Sequence, residues 1–197
     1  MPEFDPAALE SRENGRIVKS AVSPRPIAWV STVDEDGNDN LAPYSSYNYV
    51  TTSPPVVVFN ASTKADGELK DSARNALDTG EFVVNVVTKP VAEQMDRTSE
   101  NLPRGESEFD LANVERADCT DVEPPRVAEA DVNLECTLYD SKSVYGKTMV
   151  FGEVVRYHVA DRVLTDGELD MRKLATVGRL GGPYYTNGEL LELERQH

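Results

Sequence analysis

Apolar residues in this chain fall into short blocks that are rich in β-branched side chains and separated by polar turns. Blocks of this length and composition predict buried strands. We expect five of them, at residues 26–33, 56–60, 82–88, 132–139 and 149–159. Their spacing along the chain is irregular, which is not the regular strand–helix alternation of a parallel sheet.

Helical periodicity is confined to short segments. The clearest helix has apolar residues at helical spacing, namely Leu69, Ala73, Ala76 and Leu77. Gly80 predicts its end, because glycine readily adopts the left-handed conformation that terminates helices. Another short helix is expected over residues 91–97. With few and short helices, the pattern favours a mainly β protein, a β-barrel with short helices, over a doubly wound sheet.

The chain divides into a predicted core and three predicted attachments. Residues 1–20 predict an N-terminal arm with a short helix, and residues 178–197 a C-terminal tail. Residues 99–130 are polar and contain several prolines, so we interpret them as an irregular excursion with short helical pieces rather than a linker. Two domains in 197 residues would need two unusually small cores, so we expect a single domain over residues 1–197.

The charge balance excludes several classes of partner. Twenty basic and 35 acidic residues give 20 − 35 = −15. A surface of this sign repels phosphates, so we expect no nucleic-acid partner and no binding to anionic membranes. No apolar run of about 18 residues is present to span a bilayer. The N-terminus lacks the apolar stretch of a secretory signal, so the expected location is cytoplasmic.

The distribution of acidic residues and the low number of lysines are also distinctive. Acidic residues are spread along the chain, and seven lysines stand against thirteen arginines. Surfaces poor in lysine and rich in carboxylates stay hydrated in concentrated salt, where their self-repulsion is screened. We interpret the composition as adaptation to a salty cytoplasm, as in a halophile.

The sequence contains few residues suited to acid–base, nucleophilic or metal chemistry. The only histidines are His158 and His197, and no Ser-His-Asp arrangement is visible around them. Cys119 and Cys136 form neither a disulfide framework nor a recognisable metal motif, and an ordinary zinc site would need several carboxylates in addition. The chain also lacks the G-x-G-x-x-G dinucleotide motif. We therefore assign no catalytic residue and no metal ligand, and expect an organic cofactor to carry any chemistry.

Residues 62–75 contain a candidate phosphate site, where a buried strand leads through a hydroxyl-rich loop into a helix. Free backbone amides at a helix start, together with hydroxyls and lysines, suit a phosphate. The side chains in question are Ser62, Thr63, Lys64, Lys70 and Ser72. The alternative is that Asp71 or Ser72 simply caps the helix while the lysines remain solvated.

Several segments taken together resemble a known family in their order and spacing. They are residues 23–32 (SPRPIAWVST), 40–46 (NLAPYSS), 54–56 (PPV), 70–75 (KDSARN), 80–85 (GEFVVN) and 179–182 (RLGG), followed by Tyr184. From about Val22 to Tyr185 the chain resembles the flavin reductase-like family of FMN-binding split-barrel proteins, which includes flavoredoxins. The resemblance implies a six-stranded Greek-key split barrel that forms a homodimer and holds FMN near the subunit interface.

The resemblance also implies a set of cofactor contacts. Ser31 and Thr32 would lie beside the flavin, at the end of a barrel strand. Backbone and hydroxyl contacts along the isoalloxazine and ribityl groups would come from Ala42, Pro43, Tyr44, Ser45 and Ser46.

The phosphate would be held by Ser62, Lys70 and Ser72, with Asp71 and Asn75 fixing the loop. The insertion at residues 65–68 brings two acids near this phosphate and leaves the role of Lys64 open.

The C-terminal tail has two interpretations. In the first, it reaches the flavin, with Arg179 near the pyrimidine edge or the nicotinamide phosphate and Tyr184 packing beside the ring. In the second, it forms a turn lying on its own barrel.

The implied function is that of a flavoprotein oxidoreductase, a flavin reductase. It would use NAD(P)H to reduce FMN and pass the reducing equivalents to another acceptor, such as a redox partner protein. One alternative is a non-enzymatic FMN-binding electron carrier of the flavoredoxin kind. Another is a structural or interaction domain with a decayed pocket. The sequence does not distinguish NADH from NADPH, or bound FMN from FMN as a released substrate.

Overall fold

The computed structural model of the chain describes residues 1–64, 66–100, 102–103 and 106–193. Residue 65 of the insertion, three positions of the predicted excursion and the last four residues of the predicted tail, including His197, lie outside the described residues.

The protein is mainly β, as the hydrophobic pattern predicts. The strands are β1 (Ala28–Val33), β2 (Asp39–Tyr44), β3 (Tyr47–Thr52), β4 (Pro55–Ser62), β5 (Glu81–Val86), β6 (Arg116–Ala117), β7 (Arg126–Val127), β8 (Val132–Val144), β9 (Lys147–Val159), β10 (Leu164–Thr165), β11 (Glu168–Leu169), β12 (Gly178–Arg179) and β13 (Tyr185–Thr186). The helices are α1 (Ser11–Ala21), α2 (Asp71–Asp78), α3 (Ala92–Arg97) and α4 (Glu108–Ala112), with short 3-10 turns at Lys89–Val91 and Asp161–Val163. None of the helices in the described ranges combines the length and apolar character of a membrane span.

Seven strands form one antiparallel sheet in the order β2-β1-β5-β8-β9-β4-β3. This is one strand more than the six that the family resemblance implies. The hydrophobic pattern predicted neither β2 nor β3, and the side chains of β3 are mostly polar or exposed. Such a strand shows no apolar run, so hydrophobic periodicity does not reveal it.

The sheet curls so that strands distant in its order meet through their side chains. The Tyr44 ring on the edge strand β2 lies 4.9 Å from the Phe59 ring on β4, measured between centroids. Phe59 in turn meets Phe82 of β5 edge to face at 5.3 Å. A Cβ at Gly152 of β9 would lie 2.3 Å from the Phe82 ring, so only glycine admits this ring at the barrel centre.

A second apolar cluster lies on the outer face of β1 and is covered by the excursion. Trp29 of β1 is fully buried there with Met95 of α3 and Phe109 of α4. Its indole nitrogen donates to the Thr98 hydroxyl at 2.8 Å. The excursion is therefore packed onto the sheet, with its own short helix α4 and short strands β6 and β7.

A buried amide fixes the end of the excursion to the sheet. The Asn85 side chain donates to the Trp29 carbonyl at 2.9 Å, and its oxygen accepts from the Val127 amide at 2.8 Å. The Asn133 side chain also donates to the Asn85 oxygen at 2.8 Å. Because buried polar groups need partners, this residue specifies how β1, β5, β7 and β8 join.

Candidate cofactor-binding site

A cleft of about 510 Å³ opens between β2, the start of α2 and the segment after α3. We call it the α2 cleft. Its lining consists of Asn40, Ala42, Pro43, Tyr44, Thr63, Lys64, Lys70, Asp71, Ser72, Thr98, Ser99, Glu100, Leu102 and Glu108. The structure thus brings the predicted contacts of β2 and of the α2 start to one place.

The start of α2 faces this cleft without a side-chain cap. Lys70 is the N-cap residue, and among the described residues no side chain caps the first amides of the helix. The first helical hydrogen bonds run from the amides of Ala73 and Arg74 to the Lys70 carbonyl, each at 3.0 Å. The amides of Asp71 and Ser72 precede this ladder. An uncapped helix start of this kind, with its positive dipole end, suits an anion.

The lysines beside the helix start differ in their pairing. The Lys64 ammonium lies 2.9 Å from the Asp71 carboxylate. In the part of the chain that the structure describes, Lys70 makes no ion pair. Glu68, one of the two inserted acids, pairs with Arg74 at 2.9 Å. Lys70 is therefore the cation whose charge stays available to a phosphate, whereas Lys64 is tied to the helix.

Hydroxyl groups and an apolar surface complete the wall of the cleft. The Ser72 hydroxyl accepts from the Asn40 side chain at 2.8 Å and contacts the Tyr44 hydroxyl. Burial raises the pKa of Tyr44 to about 12, so its phenol stays neutral. Ala42 and Pro43 offer apolar surface beside these groups.

Glu108 is a cleft residue that the sequence analysis did not find. Its carboxylate accepts from the Leu41 amide at 3.0 Å, which ties the excursion to β2. Burial and the neighbouring charges of Asp71 and Asp39 raise the pKa of Glu108 above its usual value. The sequence carried one local signal, since Ser107 caps the short helix that Glu108 begins.

The donor set of the α2 cleft fits a phosphorylated, polyhydroxylated aromatic cofactor such as FMN. An unpaired lysine and an uncapped helix start suit the phosphate. Hydroxyls and amides suit a ribityl chain, and the apolar surface of β2 suits an aromatic ring. Six of the predicted contact residues lie here: Ala42, Pro43, Tyr44, Lys70, Asp71 and Ser72.

Ser31 and Thr32, predicted beside the flavin, are fully buried in internal contacts. The Ser31 hydroxyl donates to the Pro125 carbonyl at 2.6 Å. The Thr32 hydroxyl accepts from the Asn75 side chain at 3.2 Å, which fixes α2 against β1. The structure therefore shows supporting roles for these residues, and their contact with a cofactor stays a prediction.

Ser45, Ser46 and Ser62 lie outside the α2 cleft. The first two line a different groove, of about 420 Å³, beside α1 and Tyr47. The Ser62 hydroxyl accepts from the ammonium group of Lys147, the first residue of β9. The predicted cofactor roles of these three serines remain untested.

The tail residues Arg179 and Tyr184 also lie away from the lining of the α2 cleft. Arg179 pairs with Arg25 through two backbone hydrogen bonds of 2.8 and 2.9 Å. Its guanidinium stacks 4.2 Å above the Tyr185 ring. Tyr184 is 67% exposed. The described part of the tail thus lies against the chain's own barrel, and a reach toward a partner chain stays a prediction.

Comparisons with known proteins agree with this geometry. The family description "Flavin reductase like domain" matches residues 20–177. An uncharacterized protein of Aquifex aeolicus is 42% identical over 171 residues, covering 86% of this chain and 87% of that protein.

Two solved structures are similar over almost the full length. Nitrilotriacetate monooxygenase component B from Bacillus cereus has 33% identity and a TM-score of 0.92, covering 98% of both chains. A flavin-reductase-type protein with a split barrel domain from Shewanella frigidimarina has 26% identity and a TM-score of 0.86, covering both chains completely. The barrel is therefore a split barrel. Organisms this diverse lend no support to the halophile origin expected from the composition.

Proposed function

Because the chain belongs to the flavin reductase-like domain family, we propose that it binds FMN and catalyses its reduction by NAD(P)H, passing the reducing equivalents to another acceptor. The observation that carries this proposal is the α2 cleft, where an uncapped helix start and the unpaired Lys70 face the polar and apolar wall of β2. Nitrilotriacetate monooxygenase component B, which is 33% identical over 98% of the chain, gives a precedent for a protein that works with a second component.

The protein's part in this reaction is binding and orientation. Lys70 and the amides of Asp71 and Ser72 would hold the phosphate of FMN, and Ala42 to Tyr44 would support its ring system. Bound flavin supplies the chemistry, since it accepts a hydride and releases electrons to an acceptor. In the described residues the cleft lining contains no histidine or cysteine. This suits a reaction in which the protein mainly positions two cofactors.

The proposal is tested by an FMN titration followed by reduction. The purified protein should bind FMN, and NADH or NADPH should bleach the flavin absorbance in a stopped-flow experiment. Absence of FMN binding would refute the whole proposal. Binding without bleaching by either nicotinamide would refute the enzymatic part and favour an electron carrier. Comparing the two nicotinamides identifies the reductant.

We also propose that the active unit is a homodimer. Large apolar side chains are exposed on three strands in one half of the sheet, β3, β8 and β9, namely Tyr49, Val50, Tyr139, Val155 and Tyr157. A two-fold partner would cover this apolar surface and the β3 edge. Light scattering with FMN present measures the mass directly, and a monomeric FMN complex would contradict the proposal.

A further inference from the structure

A thiol, a carboxylate and an imidazole lie close together where the excursion packs against β8 and β9. They are Cys119 from the loop after β6, Glu135 from β8 and His158 from β9. The sulfur, one carboxylate oxygen and one imidazole nitrogen all lie within 4.8 Å of one another. Glu135 is fully buried, while Cys119 and His158 are partly buried. Glu135 follows Cys119 by 16 positions and precedes His158 by 23, so the cluster does not form a short sequence motif.

The fold holds each member of this cluster in place. β8 and β9 are paired neighbours, and the register shift between Glu135 and Cys136 marks a bulge at this point. The Glu135 carboxylate accepts from the amides of Thr120 and Asp121 at 2.8 and 2.6 Å, and it also contacts the His158 Nε2. The loop that carries Cys119 is therefore fixed to β8 by hydrogen bonds from two of its backbone amides to the Glu135 side chain.

We propose that Cys119, Glu135 and His158 bind a divalent transition metal ion of the Zn²⁺ class. Thiolate, imidazole and carboxylate are the three ligand types that Zn²⁺ takes in proteins. Three protein ligands leave one position of a tetrahedral ion for water or another ligand. The two amides that donate to Glu135 act as the outer contacts that orient a metal-binding carboxylate.

The local charges agree with this assignment. A divalent ion would displace the proton of the Cys119 thiol, and its charge would balance the resulting thiolate and the Glu135 carboxylate. The nearby cations are Arg156, which is neutralised by Asp121 at 2.6 Å, and Arg126, whose Nε donates to the Asp118 carbonyl.

The proposed metal site is independent of the proposed flavin site. None of its three side chains belongs to the described lining of the α2 cleft, which is formed by β2, α2 and the segment around α3 and α4. A metal here is therefore expected to stabilise the attachment of the excursion to β8 and β9. Its presence or absence can be measured without reference to flavin binding or turnover.

The test is a titration of the full-length, untagged, metal-stripped protein with Co²⁺. Co²⁺ reports its ligands by absorption, and coordination by Cys119 should give a thiolate-to-cobalt charge-transfer band that saturates at one equivalent. Added Zn²⁺ should abolish the band by displacement. Cys119→Ser should lose the band, and His158→Gln should weaken Co²⁺ binding by at least about 100-fold, since loss of outer contacts alone costs about 10- to 100-fold.

Cys136→Ala provides the matched control, because Cys136 is the only other cysteine and lies in the barrel core. This variant should retain the band. Circular dichroism confirms that each variant is folded, and His158→Gln replaces Cys119→Ser if the latter is not. No band in the native protein, or a band that persists in folded Cys119→Ser, would overturn the assignment.

Discussion

Lys70 is the residue through which the cofactor proposal can be tested most directly. Lys70→Ala removes a charge directed at the FMN phosphate, and a charge-assisted hydrogen bond contributes about 1.5–3 kcal/mol. We therefore expect FMN affinity to fall by about 10- to 100-fold, whereas riboflavin, which lacks the phosphate, should bind almost unchanged. Fluorescence titration of both flavins measures the difference.

A control variant strengthens this comparison. Lys142→Ala removes an exposed lysine of β8, outside the α2 cleft, and should leave both affinities unchanged. Equal losses for FMN and riboflavin in Lys70→Ala would show that Lys70 does not face the phosphate.

Glu108 gives the α2 cleft a defined pH response. Its pKa is raised in the folded protein by burial and by Asp71 and Asp39, despite the hydrogen bond that it accepts from the Leu41 amide. The folded state then binds more protons than the unfolded state in the pH range just above the usual pKa of 4.5. Stability must therefore fall as pH rises through that range. Glu108→Gln keeps the acceptor for the Leu41 amide and removes this dependence.

The expected difference between the two proteins is at most about 1 kcal/mol, because solvent in the cleft screens the carboxylate. Urea denaturation at a series of pH values above 4.5 measures it. Identical pH profiles for the native protein and Glu108→Gln would contradict the prediction.

At the residue scale the sequence predicted part of the site. Lys70, Asp71 and Ser72 were found because a strand, a hydroxyl-rich loop and a helix follow one another along the chain. Glu108 was missed because it enters the cleft from the excursion, and Thr98 because it enters from the end of α3. Tertiary packing alone places both of them there. Cys119 and His158 were considered separately, since their proximity depends on the pairing of β8 with β9 and on the hydrogen bonds that hold the Cys119 loop to Glu135.

At the scale of elements, apolar strands were predictable and polar ones were not. The buried runs of β1, β4 and β5 were expected within a few residues of their bounds. β8 continues over residues 140–144, beyond its predicted end, because these exposed residues pair with β9 across the turn at Tyr145 and Gly146. Cross-strand hydrogen bonds, not burial, define that end of β8.

The tail offers an element-scale prediction. Truncation after Val177 removes β12 and β13 but keeps the Val177 amide bonded to the Val87 carbonyl. If the tail reaches the flavin of a dimer, the truncated protein should lose flavin affinity or NAD(P)H turnover while its thermal unfolding stays cooperative. Isothermal titration, steady-state kinetics and calorimetry measure the three properties.

A point variant and the activity of the truncated protein together distinguish the two interpretations of the tail. Tyr184→Ala removes one exposed ring without disturbing the Arg25–Arg179 pairing, so a partial loss in that variant would assign the effect to the ring. Full activity of the truncated protein would support the interpretation of the tail as a turn on its own barrel.

For the molecule as a whole, net charge gives the clearest prediction. A charge of −15 on 197 residues repels itself at low ionic strength. At about 1 M salt the Debye length is about 3 Å and the repulsion is screened. The melting temperature should therefore keep rising as KCl increases from millimolar to molar concentration. Salt also weakens the surface ion pairs, but the excess of carboxylates makes their loss the smaller effect.

Calorimetry across a KCl series tests this prediction. A non-electrolyte at matched osmolarity serves as the control and should raise the melting temperature less than KCl does. A melting temperature independent of KCl would show that repulsion between the excess carboxylates does not limit the stability of this protein.

The uncapped start of α2 has a consequence for how the protein behaves in a cell with little cofactor. A missing N-cap typically costs a helix about 1 kcal/mol, and α2 has only eight residues. Until an anion supplies the missing contacts, the first turn of α2 opens more often than the barrel beneath it. Proteases act on such openings, so protein lifetime would depend on cofactor supply if the α2 cleft binds FMN as proposed. Flavin shortage would then lower the amount of this protein as well as its activity.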